Sequence, residues 1–464
     1  MNRRLPIAVL ATLGCLIVVP SAGARAPYRA HEVVVAYAPT VDERAREATE
    51  RATGTDTDMV PAPRTEVLRI EDGKSVPATL RELRSRPGVL YAVPNMIARA
   101  SGFIPNDRGR TNVARGWQQT QWNFLPDIGV NAPDAWANLI AARAYGGRGV
   151  TVAVLDTGVA YENRLRFRRS PDLSPFSFVQ GYDFIDRDRY PNDVNGHGTW
   201  IASLVAERTH NGFGLTGLAY GARIMPLRVL DSQGLGDAST IAAGIRYAAS
   251  HGARVVNLSV EFDDALPAFN IPQLLGAIRF AAARGVVIVA SSGNESLRRV
   301  AYPARAPFVT SVGATTEHLC LADYSNEGVG LDIVAPGGGG DAPDAPDPAH
   351  CRASETAGRD IFQLTFTSSV ARFGYPGGFQ GTSMSAPHVA AAAALVIASG
   401  VIGRRPSARA VEAHLKSTAR DLGAPGYDTR FGAGLLDAGR ATTPSRALRA
   451  AWRRAAASAS APPR

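Results

Sequence analysis

Cysteine is nearly absent: the 464 residues hold three, Cys15, Cys320 and Cys351. None has the paired spacing that a zinc site requires. A Walker A string is missing, and no internal repeat is found. The one G-x-G-x-x-G match, Gly212-Phe213-Gly214-Leu215-Thr216-Gly217, follows a predicted helix and precedes a predicted strand. A dinucleotide site needs the opposite order, so the match implies no cofactor. Acidic residues are missing from both ends: none stands before Ala26 and none after Asp437. Those ends carry Arg3, Arg4, Arg25, Arg440, Arg446, Arg449, Arg453, Arg454 and Arg464, the whole of the formal excess of +9. The body between them is formally neutral, and nothing marks it as a partner of nucleic acid. After residue 19 no apolar run is expected to reach the length of a membrane span.

What is present begins with an export signature. Arg3 and Arg4 precede an apolar run from Leu5 to Val19, and Ser21-Ala22-Gly23-Ala24 offers small residues for cleavage. Residues 1–24 therefore read as a signal peptide, with a retained anchor as the alternative. A secreted or periplasmic protein with no stable membrane span is the expectation. Signal removal would take Cys15 away, and the two cysteines left in an exported chain suggest one disulfide. A Cys320–Cys351 bridge would close a loop of roughly 30 residues, stabilising by about 3–4 kcal/mol; two free thiols are the alternative.

The body reads as α/β. Gly149–Leu155 is a continuous apolar run ending at Asp156, and Ala222–Leu230, Ala253–Ser259 and Gly285–Ala290 are three more. Helical patterns fall between and after them at Gly198–Glu207, Ala238–His251 and Gln273–Arg284. Strands buried on both faces and alternating with helices predict a parallel sheet with helices on both faces. Ahead of it, His31–Asn95 forms a small α/β module. Its predicted elements are a strand at Val33–Tyr37, a helix at Val41–Ala52, a strand at Thr65–Ile70 and a helix at Val76–Ser85. Gly337–Pro348 is rich in glycine, proline and aspartate and reads as a flexible insertion. The tail 442–464 has too few large apolar residues for a core, leaving either a marginal helix over Ala447–Ala457 or disorder.

Three strings in the body each surround one polar residue with small neighbours. They are Val154-Leu155-Asp156-Thr157-Gly158, Asn195-Gly196-His197-Gly198-Thr199 and Gly381-Thr382-Ser383-Met384-Ser385-Ala386-Pro387. Together they supply a carboxylate, an imidazole and a hydroxyl, the parts that make a serine nucleophilic near neutral pH. Taken singly, Asp156 and Ser383 read as ordinary caps and His197 as a turn residue. Taken together, and in the order Asp, His, Ser, they resemble the subtilisin-like serine proteases, the subtilases. The resemblance spans about Gln121 to Asp437.

The resemblance implies roles residue by residue. Ser383 would be the nucleophile at a helix start near Ser383–Ala398, His197 the general base and then acid, and Asp156 the group that orients the imidazole. Asn294, in Ser291-Ser292-Gly293-Asn294-Glu295, matches the family's oxyanion-hole asparagine. Ser259-Val260 and Ser291-Ser292-Gly293 match the edge segments that pair with an extended peptide substrate. The chain departs from the family at Ser385, usually alanine, and at Glu261-Phe262-Asp263, where glycines usually continue the first edge segment. Val89-Leu90-Tyr91-Ala92-Val93-Pro94-Asn95 is similar to the end of subtilase propeptides. That similarity implies that 27–100 is a chaperone and inhibitor of its own catalytic domain, 117–441; a permanent accessory domain is the alternative. Asp183, Asp186, Asp188 and Asn192 are spaced like a structural calcium site of some subtilases; pairing with Arg187 and Arg189 is the alternative. The chemistry itself needs no cofactor.

The expected function is an exported endopeptidase. A serine esterase or amidase on the same residues and an inactive binding protein of the same fold are the competing readings. The paired edge segments disfavour the first, and the intact set Asp156, His197, Asn294 and Ser383 disfavours the second.

Overall fold

The computed structural model describes residues 28–71, 73–96, 103–343, 347, 349–354 and 356–459. The expected signal peptide, with Cys15, lies outside them. The chain divides into two compact units, Met1–Ser101 and Gly102–Arg464.

The first unit runs β1 (Tyr28–Tyr37), α1 (Glu43–Thr53), β2 (Thr55–Ala62), β3 (Thr65–Ile70), α2 (Val76–Arg84) and β4 (Val89–Met96). Its strands form one antiparallel sheet in the order β2-β3-β1-β4. Strand alternation on β1 sends Val33, Val35 and Tyr37 to one face, where they meet Leu80 and Leu83 of α2. Asp42 starts α1 by accepting from the Ala45 N–H at 2.9 Å. Gly54 ends it in the left-handed region at φ 66°. Strand β2 was not expected. Its residues, Thr55-Asp56-Thr57-Asp58-Met59-Val60-Pro61-Ala62, lack apolar alternation because, as an edge strand, it is mostly exposed.

The second unit opens with α3 (Trp117–Thr120) and α4 (Ala132–Ala141). Its centre is a sheet of β5 (Thr151–Asp156), β6 (Tyr182–Asp183), β7 (Arg223–Arg228), β8 (Val255–Leu258), β9 (Val287–Ser291), β10 (Val309–Thr315) and β11 (Ile333–Pro336). The order is β11-β10-β9-β8-β5-β7-β6, and every neighbouring pair is parallel. The helices that follow α4 are α5 (His197–Ala206), α6 (Ala238–Ser250), α7 (Pro272–Ala282), α8 (Thr382–Ser399), α9 (Ala408–Thr418), α10 (Ala438–Ala441) and α11 (Arg446–Ala459). Alternate residues of β5 separate two cores. Val152 and Val154 pack with Ile201 and Leu204 of α5 and Val389 of α8. Ala153 and Leu155 pack with Ile241 and Ile245 of α6 and Leu274 and Ile278 of α7. The expected architecture, a parallel sheet covered on both faces, is the one observed.

Helix α8 corrects one expectation. Its 18 residues are long enough and, on average, apolar enough to cross a membrane by length and composition, yet 89% of that stretch is buried. It is a core helix whose all-round apolar surface reflects contact with other protein on every side.

Cys320 and Cys351 form a disulfide with their Cα atoms 4.5 Å apart. The bridge fastens the far end of the glycine- and proline-rich stretch to the turn after β10. The Arg352 N–H adds a bond to the His318 carbonyl at 2.8 Å. The described part of the tail takes the helical alternative, from Arg446 to Ala459.

Candidate active site

Strand β5 ends at Asp156, a fully buried residue at the carboxyl edge of the sheet. Ligands of open parallel sheets bind beyond that edge. Helix α5 begins there with His197, and only glycine fits at the next position. A Cβ on Gly198 would lie 2.1 Å from the Gly158 carbonyl oxygen. The close approach brings the imidazole onto the carboxylate, with His197 Nδ1 2.8 Å from Asp156 Oδ1. The Thr157 N–H donates to the same oxygen at 2.7 Å.

Ser383 is the second residue of α8, entered through Gly381 at φ 142°. The Gly381 N–H donates to the Tyr324 hydroxyl at 3.0 Å, which holds the turn in place. As in any first helical turn, the Ser383 N–H lacks an intrahelical acceptor, and among the described residues no other acceptor takes it. Ser383 Oγ donates to the Ser259 carbonyl at 3.4 Å, and among the described residues no hydrogen bond joins it to His197. Bonds of this kind commonly tighten only when substrate arrives. Ser385, the departure from the usual alanine, is buried with its hydroxyl donating to the Ala335 carbonyl at 3.0 Å.

His197 and Ser383 line a cleft of about 440 Å³ together with Ser259, Val260, Glu261 and Phe262. Burial disfavours the His197 cation. The charge of Asp156 and its hydrogen bond, with Asp193 behind, outweigh that cost and raise the pKa above its ordinary value. A second histidine follows Ser383 by five residues but differs in kind. His388 is fully buried, burial pushes it down to about 3, and its ring nitrogens face the Met384 carbonyl and Asn123.

Asn294 is fixed through its amide oxygen, which accepts from the Thr382 N–H at 2.8 Å and the Thr382 hydroxyl at 3.0 Å. Its Nδ2 donates to Glu261 Oε1 at 3.2 Å. The two expected edge segments fare differently. Ser259 and Val260 line the cleft, and Ser259 Oγ also donates to the Ser383 carbonyl at 2.8 Å. Ser291, Ser292 and Gly293 are buried behind it. The Ser292 N–H and carbonyl are both bonded inside the protein, to Val312 and Ala301. Gly293 exchanges bonds with Thr382 and Asn326. These three residues support the Asn294 loop.

Residues 147–434 match the subtilase family of serine peptidases, and residues 18–95 match the N-terminal prodomain of fervidolysin. The chain belongs to the subtilase family. A thermophilic serine proteinase of Bacillus sp. strain AK1 is 33% identical over 326 residues, covering 70% of this chain and 67% of that protein. Subtilisin Savinase of Lederbergia lenta is 35% identical over 306 residues, covering 65% and 93%. Among solved structures, a protease from Pseudoalteromonas arctica aligns with a TM-score of 0.58 at 30% identity, over 73% of this chain and 99% of that one. This subtilase is thus a serine protease, a hydrolase, with an N-terminal prodomain, and subtilases need no cofactor for catalysis.

The calcium expectation is not supported at its named residues. A cation is already there, and it is neither Arg187 nor Arg189. Arg228, the last residue of β7, reaches Asp183 Oδ2 at 2.8 Å and Asp186 Oδ2 at 2.6 Å. Asp188 accepts from the Tyr190 N–H at 2.8 Å, and Asn192 donates to Glu162 at 2.8 Å. Among the described residues no cluster of three or more His, Cys, Asp or Glu is arranged to hold a metal. Only the register of β7 beside β6, pairing Asp183 with Arg228, brings these charges together. Arg228→Ala would strand a nearly buried Asp183 and is expected to lower unfolding free energy by about 3–5 kcal/mol in denaturant titration. An unchanged midpoint would mean that the pair contributes nothing.

Asp193 is the organising residue that the sequence reading passed over. Its buried carboxylate accepts from the Thr157 hydroxyl, the Asn195 and Gly196 N–H groups, and both the N–H and hydroxyl of Thr199. It thereby ties the Asp156 turn to the His197 helix. Its place two residues before Asn195-Gly196 was a usable signal, since aspartate there caps the following backbone. A second missed group has no local signal. Asp172 and Glu207 are buried near Asp107; burial raises all three, and repulsion from the neighbouring carboxylates raises Glu207 and Asp172 further, Asp172 to about 8. Burial thus favours the neutral form of both Asp172 and Glu207.

Proposed function

We propose that this subtilase is an exported endopeptidase whose nucleophile is Ser383, activated by His197, which Asp156 orients. The observation that carries the assignment is the 2.8 Å contact between His197 Nδ1 and the buried Asp156. The contact supports a tautomer with the donor hydrogen on Nδ1 and Nε2 free to act as the base. Attack by Ser383 Oγ on a peptide carbonyl passes its proton to Nε2, and the same proton goes to the departing amine as the acyl-enzyme forms. Water then repeats the cycle to release the acid. The Ser383 N–H and the Asn294 amide are the proposed oxyanion donors, and Ser259-Val260 the edge that pairs with the substrate backbone. The N-terminal signature supports export, to a secreted or periplasmic location, and the prodomain supports maturation by its removal. A structural calcium at Asp183–Asn192 is left out of this reading because Arg228 supplies the positive charge there.

A fluorophosphonate probe tests the assignment. The matured protein is expected to form one covalent adduct that peptide mapping places on Ser383, and Ser383→Ala to form none. An adduct on another serine would overturn the assignment.

A further inference from the structure

Asn294 does not stand alone at the cleft. Glu261 lines the cleft immediately after the Ser259-Val260 edge. Here Glu261 Oε1 accepts from Asn294 Nδ2 at 3.2 Å. The amide cannot rotate away, because its oxygen is held by the Thr382 N–H and hydroxyl. The –NH2 group that would serve a developing oxyanion is therefore already shared with a carboxyl group.

We propose that Glu261 is a positioning residue that couples Asn294 to pH: ionised, it competes with the oxyanion for the Asn294 –NH2, and protonated, it does not. The proposal rests on Asn294 acting as an oxyanion donor. An ionised carboxylate is the stronger acceptor and also sets a negative charge beside the position where negative charge must develop. A neutral carboxyl accepts more weakly and carries no charge, so the reaction favours the protonated form.

The surroundings put that proton within reach near neutrality. Glu261 opens to the cleft on one side, while its carboxyl packs against the loop carrying Asn294 and Glu295. That partial burial, followed by repulsion from Glu295, pushes it up to about 7 against the lowering effect of the Asn294 bond. Glu295 is itself engaged, accepting from the Asn294 N–H and from Asn326 Nδ2, each at 3.0 Å. The other charged or titratable groups nearby are His197, across the cleft on α5, and Asp263 on the same segment as Glu261. On the α8 side stand Thr382 and Ser383, which do not titrate in this range.

The test is kcat/KM from pH 5 to pH 10 on an uncharged peptide anilide, for the matured wild-type enzyme and for Glu261→Gln. The variant keeps an acceptor for Asn294 and loses the ionisation. His197 shapes both profiles alike, so the ratio of variant to wild type removes its contribution. That ratio is expected to climb by about tenfold between pH 6 and pH 9, the behaviour of a single ionisation that opposes reaction. In an Asn294→Ala background the climb should largely disappear. A flat ratio, or a loss of activity equal at every pH, overturns the proposal. Asn294→Ala separates this result from failure of the oxyanion reading. It should lower kcat by about 10²–10³, the size established for this residue in subtilisin, with little change in KM. An unchanged kcat would overturn the oxyanion role itself.

Discussion

Ser383→Ala is expected to lower kcat on a peptide substrate by about 10⁶, the loss that removal of the nucleophile causes in subtilisin. The effect is large because, in the proposed mechanism, Ser383 forms the covalent bond, whereas its neighbours only assist it. Fold and stability should change little: the side chain is half-buried, and among the described residues its only hydrogen bond is the 3.4 Å contact to Ser259. Circular dichroism melts of wild type and variant should therefore nearly coincide. If maturation is autocatalytic, the purified variant should also retain its prodomain on denaturing gels. Normal processing of Ser383→Ala would assign that cut to another protease.

Asp156→Asn comes next in size, with an expected loss of about 10⁴ in kcat, as for the same change in a triad of this kind. The asparagine conserves shape but can present its N–H2 to His197, which favours the wrong tautomer. The pH profile gives an independent sign. Only neutral imidazole accepts the Ser383 proton, so kcat/KM rises as pH passes upward through the His197 pKa. Burial opposes the cation, but the Asp156 charge and hydrogen bond hold that pKa above its ordinary value. The acid limb of wild type should then lie above about 6.5. Removing the Asp156 charge leaves burial dominant and should move the limb to lower pH. Residual activity of the variant, followed from pH 5 to pH 9, decides this. A limb that stays in place would show that Asp156 does not set the His197 charge.

Several features could be read before any fold was known. Strands β5, β7, β8 and β9 are largely apolar runs because both faces of a parallel sheet are covered, and such runs are visible in one dimension. The strings around Asp156, His197 and Ser383 were legible for a related reason. Close approach of backbones demands glycine and other small residues at fixed offsets, as Gly198 shows against the Gly158 carbonyl. Strand β2, by contrast, has no such pattern, because an edge strand in solvent needs no apolar face.

Other features depended on residues far apart in the chain. Asp183 and Arg228 meet through the register of β6 beside β7, so spacing alone pointed to the wrong arginines. The polar groups of Ser291, Ser292 and Gly293 are bonded to Val260, Val312, Asn326 and Thr382, partners that spacing along the chain does not disclose. The Glu261–Asn294 contact crosses 33 positions and exists because two loops leave adjacent strands at the same end of the sheet. The sequence by itself determined the fold class and the kinds of group at the site, since these follow from apolar periodicity and from steric demands on neighbouring residues. Only the tertiary structure decided which charges pair and which amide is shared, because Coulombic and hydrogen-bond partners are selected by distance in space, and distance along the chain carries almost no information about it.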